Sequence, residues 1–155
     1  YSLILNYKGR ISLLNQELHF LLMKCFHNTN RLITQKTPEL GLLPGQPKVL
    51  ECLLEQDGQS PRDIGRRCSI DKSTMTSLLN KMEQQQLIVR QAHPQERRSV
   101  TVRLTQAGRE KARAVRDICA GADALAWGDI SPALRDGVIQ GLNAVLANLE
   151  AVNHE

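Results

Sequence analysis

Aromatic residues make up only 3% of the 155 residues, so any core must be assembled from leucine, isoleucine, valine and alanine. No run approaches the roughly 18 to 20 uninterrupted apolar residues of a membrane-spanning helix. The N-terminal stretch also lacks a basic region followed by an apolar run and a small-residue cleavage site. The expectation is a soluble, cytoplasmic protein without a membrane partner. Cysteine is sparse and scattered: Cys25, Cys52, Cys68 and Cys119 form no CxxC pair, and no histidine stands at a zinc-finger spacing from them. In helical patterns such thiols read as small buried hydrophobes. His19 and His27 lie eight residues apart, about two helical turns, too far along one axis to share an ion without other ligands. GxSxG, HExxH, phosphate-loop and dinucleotide glycine patterns are all missing. No catalysis, metal or cofactor is expected.

What the chain does have is segregated charge. From Ser60 to Arg116 there are 13 Lys and Arg against 5 Asp and Glu, or +8, while the remainder holds 7 against 11, or −4. A basic middle between unbasic ends is the pattern of a polyanion-binding face, because phosphate contacts need cations on one surface. A solvated helical surface is the plainer explanation of the same count.

Apolar spacing along Tyr7, Ile11, Leu14, Leu18, Leu21, Cys25, Leu32 and Ile33 predicts a helix from about Asn6 to Lys36, ended by Thr37-Pro38. Leu22 and Phe26 extend its apolar surface to a second face. Pro47 starts a short buried helix through Val49, Leu50, Leu53 and Leu54 that ends at Asp57-Gly58. Ser60-Pro61 reads as an N-cap and first helical residue, with Ile64 and Cys68 facing the core. Asp71 caps the next helix, Asp71 to Gln86, where Met75, Leu78, Leu79 and Met82 form one apolar face and the polar residues fall elsewhere. Two strands follow, Leu87–Gln91 and Ser99–Leu104, joined through the polar, basic tip AHPQERR as an antiparallel hairpin. Thr105 caps a helix interrupted at Gly128-Asp129, and Ser131-Pro132 opens a last helix with a stripe of Leu134, Val138, Leu142, Val145, Leu149 and Val152. From Asp117 onward there are 1 basic and 6 acidic residues, so this end is suited to pairing with the first helix rather than to touching DNA.

Helix, turn, helix and basic hairpin is the order of a winged helix, and with the elements placed the sequence resembles the MarR family of bacterial winged-helix transcription regulators. Three stretches carry the resemblance: Leu40–Leu50 as the connection into the second helix, Ser73–Leu79 as the recognition helix, and Pro94–Ser99 with Val102–Thr105 as the wing and its return strand. It implies a mainly α fold with a small β-hairpin wing, in a single domain. Residues 1–36 and 117–155 would be dimerisation helices, 46–105 the winged helix-turn-helix, and 105–127 the connecting helix. It further implies a homodimer that binds a pseudo-palindromic site on double-stranded DNA, a repressor rather than an enzyme. Lys72, Ser73, Thr74, Thr76, Ser77 and Lys81 would enter the major groove, and Arg97 or Arg98 the minor groove, with Arg98 favoured. The recognition helix carries no arginine, so shape and wing contacts are expected to supply much of the specificity.

Several members of that family respond to small aromatic or anionic effectors bound between the dimer helices and the winged helix. The resemblance therefore implies a crevice with His19, Cys25, His27, Arg31 and Cys52 as its polar or reactive candidates. Satisfaction within a dimer interface is the plainer reading for each. Two alternatives stay open: a redox-responsive regulator acting through Cys25, and a helical dimeric interaction protein that uses the fold without binding DNA.

Overall fold

Local hydrogen-bond chemistry sets where the helices begin. A computed structural model describes residues 13–92 and 100–152. Ahead of α3 (Pro61–Cys68), the Ser60 oxygen accepts from the Asp63 N–H at 3.1 Å while its hydroxyl donates to the Asp63 carboxylate at 2.7 Å. Pro61 occupies the first helical position, where its missing N–H is no loss. Asp71 opens α4 (Lys72–Gln84) by accepting from the Thr74 N–H at 2.9 Å. Thr105 does the same for α5 (Gln106–Trp127) through the Gly108 N–H at 3.0 Å. Ser131 faces the Leu134 N–H at 3.4 Å at the start of α6 (Pro132–Val152). Each satisfies a donor that the helix itself leaves without a partner. α2 (Gln46–Glu55) follows Gly45 at φ 88°, and its first residue folds the Gln46 side chain back to accept from the Leu43 N–H at 2.9 Å.

The first helix departs from the expectation. α1 spans Leu18–Lys36, preceded by a single 3-10 turn, Leu13–Gln16, and the chain breaks at Glu17, whose φ of −90° and ψ of 124° are extended. The expected start near Asn6 lies outside the described residues. Leu14, Leu18 and Leu21, three of the positions that the spacing places on one stripe, are 50%, 49% and 41% exposed.

β1 (Ile88–Ala92) and β2 (Val100–Leu104) pair antiparallel, from Ile88 opposite Leu104 to Ala92 opposite Val100. A one-residue third partner joins them, because the Val102 N–H donates to the Gln59 carbonyl at 2.8 Å and the Gly58 N–H to the Val102 carbonyl at 3.1 Å. The sheet is thereby tied to the connection between α2 and α3. Val49, Leu50, Leu53, Ile64, Leu79, Met82, Ile88, Val102 and Val115 fill the core beneath it, each almost wholly buried. Complete burial of such a side chain stabilises by about 2 kcal/mol.

Two turns use left-handed backbone at residues other than glycine. Ser69, at φ 53°, ends α3, and Gln86, at φ 58°, ends α4 so that the Leu87 N–H can reach the Met82 carbonyl at 2.9 Å and start β1 at once. The cysteines divide where uniform burial was expected: Cys52 is buried, Cys68 and Cys119 are partly buried, and Cys25 is exposed on α1.

The chain resolves into two compact units, Tyr1–Ala122 and Asp123–Glu155. The first holds the winged helix. In the second, Gly128 at φ 46° turns the chain into α6, whose Leu134, Leu142, Leu146 and Leu149 are all exposed. Among the described residues no helix is long and apolar enough to cross a membrane.

Candidate nucleic-acid interface

α4 divides cleanly between packing and display. Met75, Leu78, Leu79 and Met82 are buried, while Lys72, Ser73, Thr74, Thr76, Ser77, Asn80 and Lys81 are exposed. A period of 3.6 residues puts the first set on the core side and leaves the second outward. The N-terminal half of this face borders a hollow lined by Ser60, Arg62, Arg66, Lys72, Thr76 and Thr101, so α3, α4 and β2 share one basic, polar concavity.

The exposed polar residues are not equivalent. Asp71 takes the Ser73 hydroxyl at 2.6 Å, the Thr74 hydroxyl at 2.6 Å and the Thr74 N–H at 2.9 Å. Those bonds, the Ser73 hydroxyl first, hold its carboxyl well below the usual carboxylate range. With their protons given to Asp71, Ser73 and Thr74 offer only acceptor lone pairs outward, which phosphate oxygens cannot use. Thr76 donates to the Lys72 carbonyl at 2.8 Å. Asn80 accepts from Arg90 Nη2 at 2.8 Å, and Arg90 Nη1 stands 3.6 Å from Glu83, so β1 is pinned to the outer edge of α4. Lys72, Ser77, Lys81 and the Asn80 amide N–H carry the donors on this face with no intrachain bond among those described.

The structure thus gathers Lys72, Ser73, Thr74, Thr76, Ser77 and Lys81 on one helix face. Arg97 and Arg98 lie outside the described residues. Sequence reasoning passed over Arg62 and Arg66, whose signal was present in the basic count of the Ser60–Arg116 stretch but not in any periodic pattern. Arg66 also meets Asp63 at 3.2 Å, an exposed pair of little energetic weight.

A second concavity opens elsewhere in the same unit, lined by Phe26 of α1, Lys48 and Cys52 of α2, Arg67 and Cys68 of α3, and Arg116 of α5. Lys48 Nζ stands 5.2 Å from the Phe26 ring centre, within cation–π range. Of the five effector candidates, Cys52 lines this cleft. His19, Cys25, His27 and Arg31 do not: all four are exposed on α1. Arg67 borders both concavities. It bonds Glu55 and donates to Gln59 Oε1 at 3.1 Å. Burial pushes the Cys68 thiol up to about 12, the neighbouring Cys52 thiol adds to the rise, and Lys48 and Arg67 offset it only in part. Among the described residues no three His, Cys, Asp or Glu side chains gather as a metal site would need.

A capped helix pair, an outward polar face on the second helix and a hairpin bonded back to the α2–α3 connection define a winged helix-turn-helix. The comparisons narrow this class. Residues 42–100 match the pattern of the MarR family. The transcriptional regulator MhqR of Bacillus subtilis is 27% identical over 92 residues, covering 59% of this chain and 63% of that protein. A MarR-family regulator from Silicibacter pomeroyi superposes with a TM-score of 0.80 at 24% identity, over 87% of this chain and 91% of that one. BpsR of Bordetella bronchiseptica, whose DNA binding is regulated by 6-hydroxynicotinic acid, superposes with a TM-score of 0.73 at 23% identity, over 83% and 98%. Residues 42–100 thus carry the MarR-family pattern, and the chain shares its fold with MarR-family regulators.

Proposed function

We propose that the chain is a DNA-binding transcriptional regulator, a repressor that acts as a homodimer on a pseudo-palindromic operator. One observation carries this reading: α4 keeps a continuous polar face of Lys72, Thr76, Ser77 and Lys81 outward beside the basic hollow of Arg62 and Arg66. A helix of this kind fits the major groove, and the surrounding cations meet phosphates. The exposed leucines of α1, and separately those of α6, supply the apolar surface that pairing two copies requires. Arg97 and Arg98, at the tip of the hairpin by sequence, are the proposed minor-groove contacts.

The effector is proposed to be a small aromatic anion. A ring is suited to the exposed face of Phe26, and a carboxylate to Lys48, Arg67 and Arg116 around the cleft. The 6-hydroxynicotinic acid of BpsR is a compound of this type.

Selection of bound sequences from random duplex, repeated over a salt series and with benzoate or 4-hydroxybenzoate present, tests the reading. A palindromic consensus whose affinity falls steeply with salt and weakens with the aromatic acid is the expected result. A salt-insensitive or absent signal would instead support a dimeric interaction protein.

A further inference from the structure

The partners of the α4 side chains fix where their protons point. An ionised carboxylate only accepts, so the Ser73 and Thr74 hydroxyls must donate to Asp71, each at 2.6 Å. A carbonyl only accepts, so the Thr76 hydroxyl must donate to Lys72, at 2.8 Å. A guanidinium only donates, so the Asn80 atom that meets Arg90 Nη2 at 2.8 Å must be the oxygen, and the Asn80 amide N–H groups are left for other partners. All of these α4 residues are exposed. Ser73, Thr74 and Thr76 thus show acceptor lone pairs without a hydroxyl proton. Ser77 and Asn80, further along the helix, show donors with no intrachain bond among those described.

We propose that α4 reads base edges as a divided array. Ser73, Thr74 and Thr76 accept from the exocyclic amino groups of adenine and cytosine, while Ser77 and the Asn80 amide donate to keto oxygens and purine ring nitrogens further along the groove. The array rests on the functional reading above. Asp71 and Arg90 are its positioning residues, since each decides which kind of group its neighbours present.

The major groove offers both kinds of partner, and the phosphates offer only acceptors. Ser73, Thr74 and Thr76 therefore have nothing to give a phosphate, and the Asp71 charge beside the first two repels one. Base edges are what remains for them. A keto oxygen does not win their protons back, because a bond from a hydroxyl to a carboxylate is charge-assisted and the stronger of the two. The same two hydroxyls, Ser73 first, hold the Asp71 carboxyl below the usual carboxylate range, so it stays ionised at neutral pH and the division keeps its sign. At the other end Arg90 is itself held, with Nη1 3.6 Å from Glu83 and a side chain only 29% exposed. Turning the Asn80 amide over would set its N–H groups against that guanidinium.

Bound sequences are selected from random duplex with the full wild-type chain. In the selected duplex each adenine in turn is replaced by purine and each cytosine by 2-pyrimidinone, which lack the exocyclic amine. Amine deletions within each half-site are expected to weaken wild-type binding about fivefold, and Ser73→Ala, Thr74→Val and Thr76→Val each to silence one such loss. Asp71→Asn then separates a reading role from a structural one. Its amide oxygen still takes the Thr74 N–H and the Ser73 hydroxyl, which keeps the cap, while its amide N–H faces Thr74 Oγ1 and frees that hydroxyl proton. At the position silenced by Thr74→Val, exchanging adenine for guanine or cytosine for thymine puts a keto oxygen where the amine stood. Wild type should lose about fivefold on that exchange and Asp71→Asn should tolerate it. Equal losses in the two proteins, or amine losses that survive all three hydroxyl variants, overturn the proposal. Duplex binding with no dependence on any amine overturns it too and leaves the functional reading standing, and the wild-type scan needs no variant to fold. A wild-type chain that binds no duplex overturns the functional reading and the array together.

Discussion

Asp57, just after α2, and Arg109, in α5, meet at 2.6 Å between Oδ2 and Nη2, and the other Asp57 oxygen accepts from the Leu104 N–H at 2.9 Å. One carboxylate therefore joins the turn after α2, the end of β2 and the first turn of α5. Asp57→Ala leaves the N–H of buried Leu104 without its acceptor and is expected to destabilise by about 2 kcal/mol in urea unfolding. Arg109→Ala, which removes only the more exposed partner, should cost less. Equal losses from the two variants would show that the ion pair, not the backbone bond, holds the junction.

Gly108 admits no side chain. A Cβ there would stand 1.9 Å from the Leu87 carbonyl oxygen, the atom that accepts from the Thr105 N–H at 3.0 Å. Gly108→Ala must push α5 away from the end of α4, at an expected loss of about 3 kcal/mol. A thermal unfolding midpoint unchanged from wild type would contradict this packing.

Gln86→Gly is expected to act in the opposite direction. Gln86 sits at φ 58°, a region where a Cβ is strained by roughly 1 kcal/mol or more and glycine is not. Glycine's greater freedom in the unfolded chain offsets part of the gain. A rise in the urea midpoint with no change in slope is the signature to seek.

Acid should reveal the Asp71 network. A carboxyl whose folded value is depressed contributes stability that is present above its unfolded value, near 4, and is lost as pH falls toward the folded one. The start of α4 should thus keep its cap at neutral pH and lose it progressively below the ordinary carboxylate range. Carboxyl-carbon NMR would follow Asp71 directly, and Ser73→Ala should move its midpoint upward, since the Ser73 hydroxyl is the largest cause of the depression. An Asp71 titrating at the ordinary value in the wild type would exclude the network in solution.

Charge removal at the proposed interface has a salt signature. If Lys72 and Lys81 each neutralise one phosphate, Lys72→Ala and Lys81→Ala should each reduce the slope of log affinity against log salt by about 1, with similar losses on operator and random duplex. If the exposed Ser77, which has no intrachain bond among those described, meets base edges as proposed, Ser77→Ala should weaken operator more than random sequence. An unchanged slope in both lysine variants would remove α4 from the phosphate contacts.

Much of the fold was legible because its punctuation is local. Ser60, Asp71, Thr105 and Ser131 announce helix starts through bonds spanning three residues, and the alternation of Val100, Val102 and Leu104 marks a strand. The face of α4 followed from spacing alone. Gln59 was not legible as a strand partner: its pairing with Val102 is one bridge long, too short to leave a pattern. Nor could sequence reveal that Asp71 claims the Ser73 and Thr74 hydroxyls, since donors and acceptors on one short segment can pair in several ways. The cleft was half hidden for a related reason. Helical spacing identifies the faces of α1 but not which of them a neighbour covers, and Phe26 rather than His19, Cys25, His27 or Arg31 lies at the cleft.

The longest closures in the first unit all wait for α5. Arg109 reaches back to Asp57, Lys111 Nζ to the Leu40 carbonyl, and Ala112 and Val115 complete the core. During synthesis from the N-terminus, a nascent chain that ends at the wing already contains both helices of the reading head and the hairpin, yet has nothing to cover the far side of that core. Apolar surface stays open until the first turns of α5 have left the ribosome. A translational pause with residue 105 just clear of the ribosome would thus strand the chain in its most aggregation-prone form, and one with Val115 clear of it would let the core close.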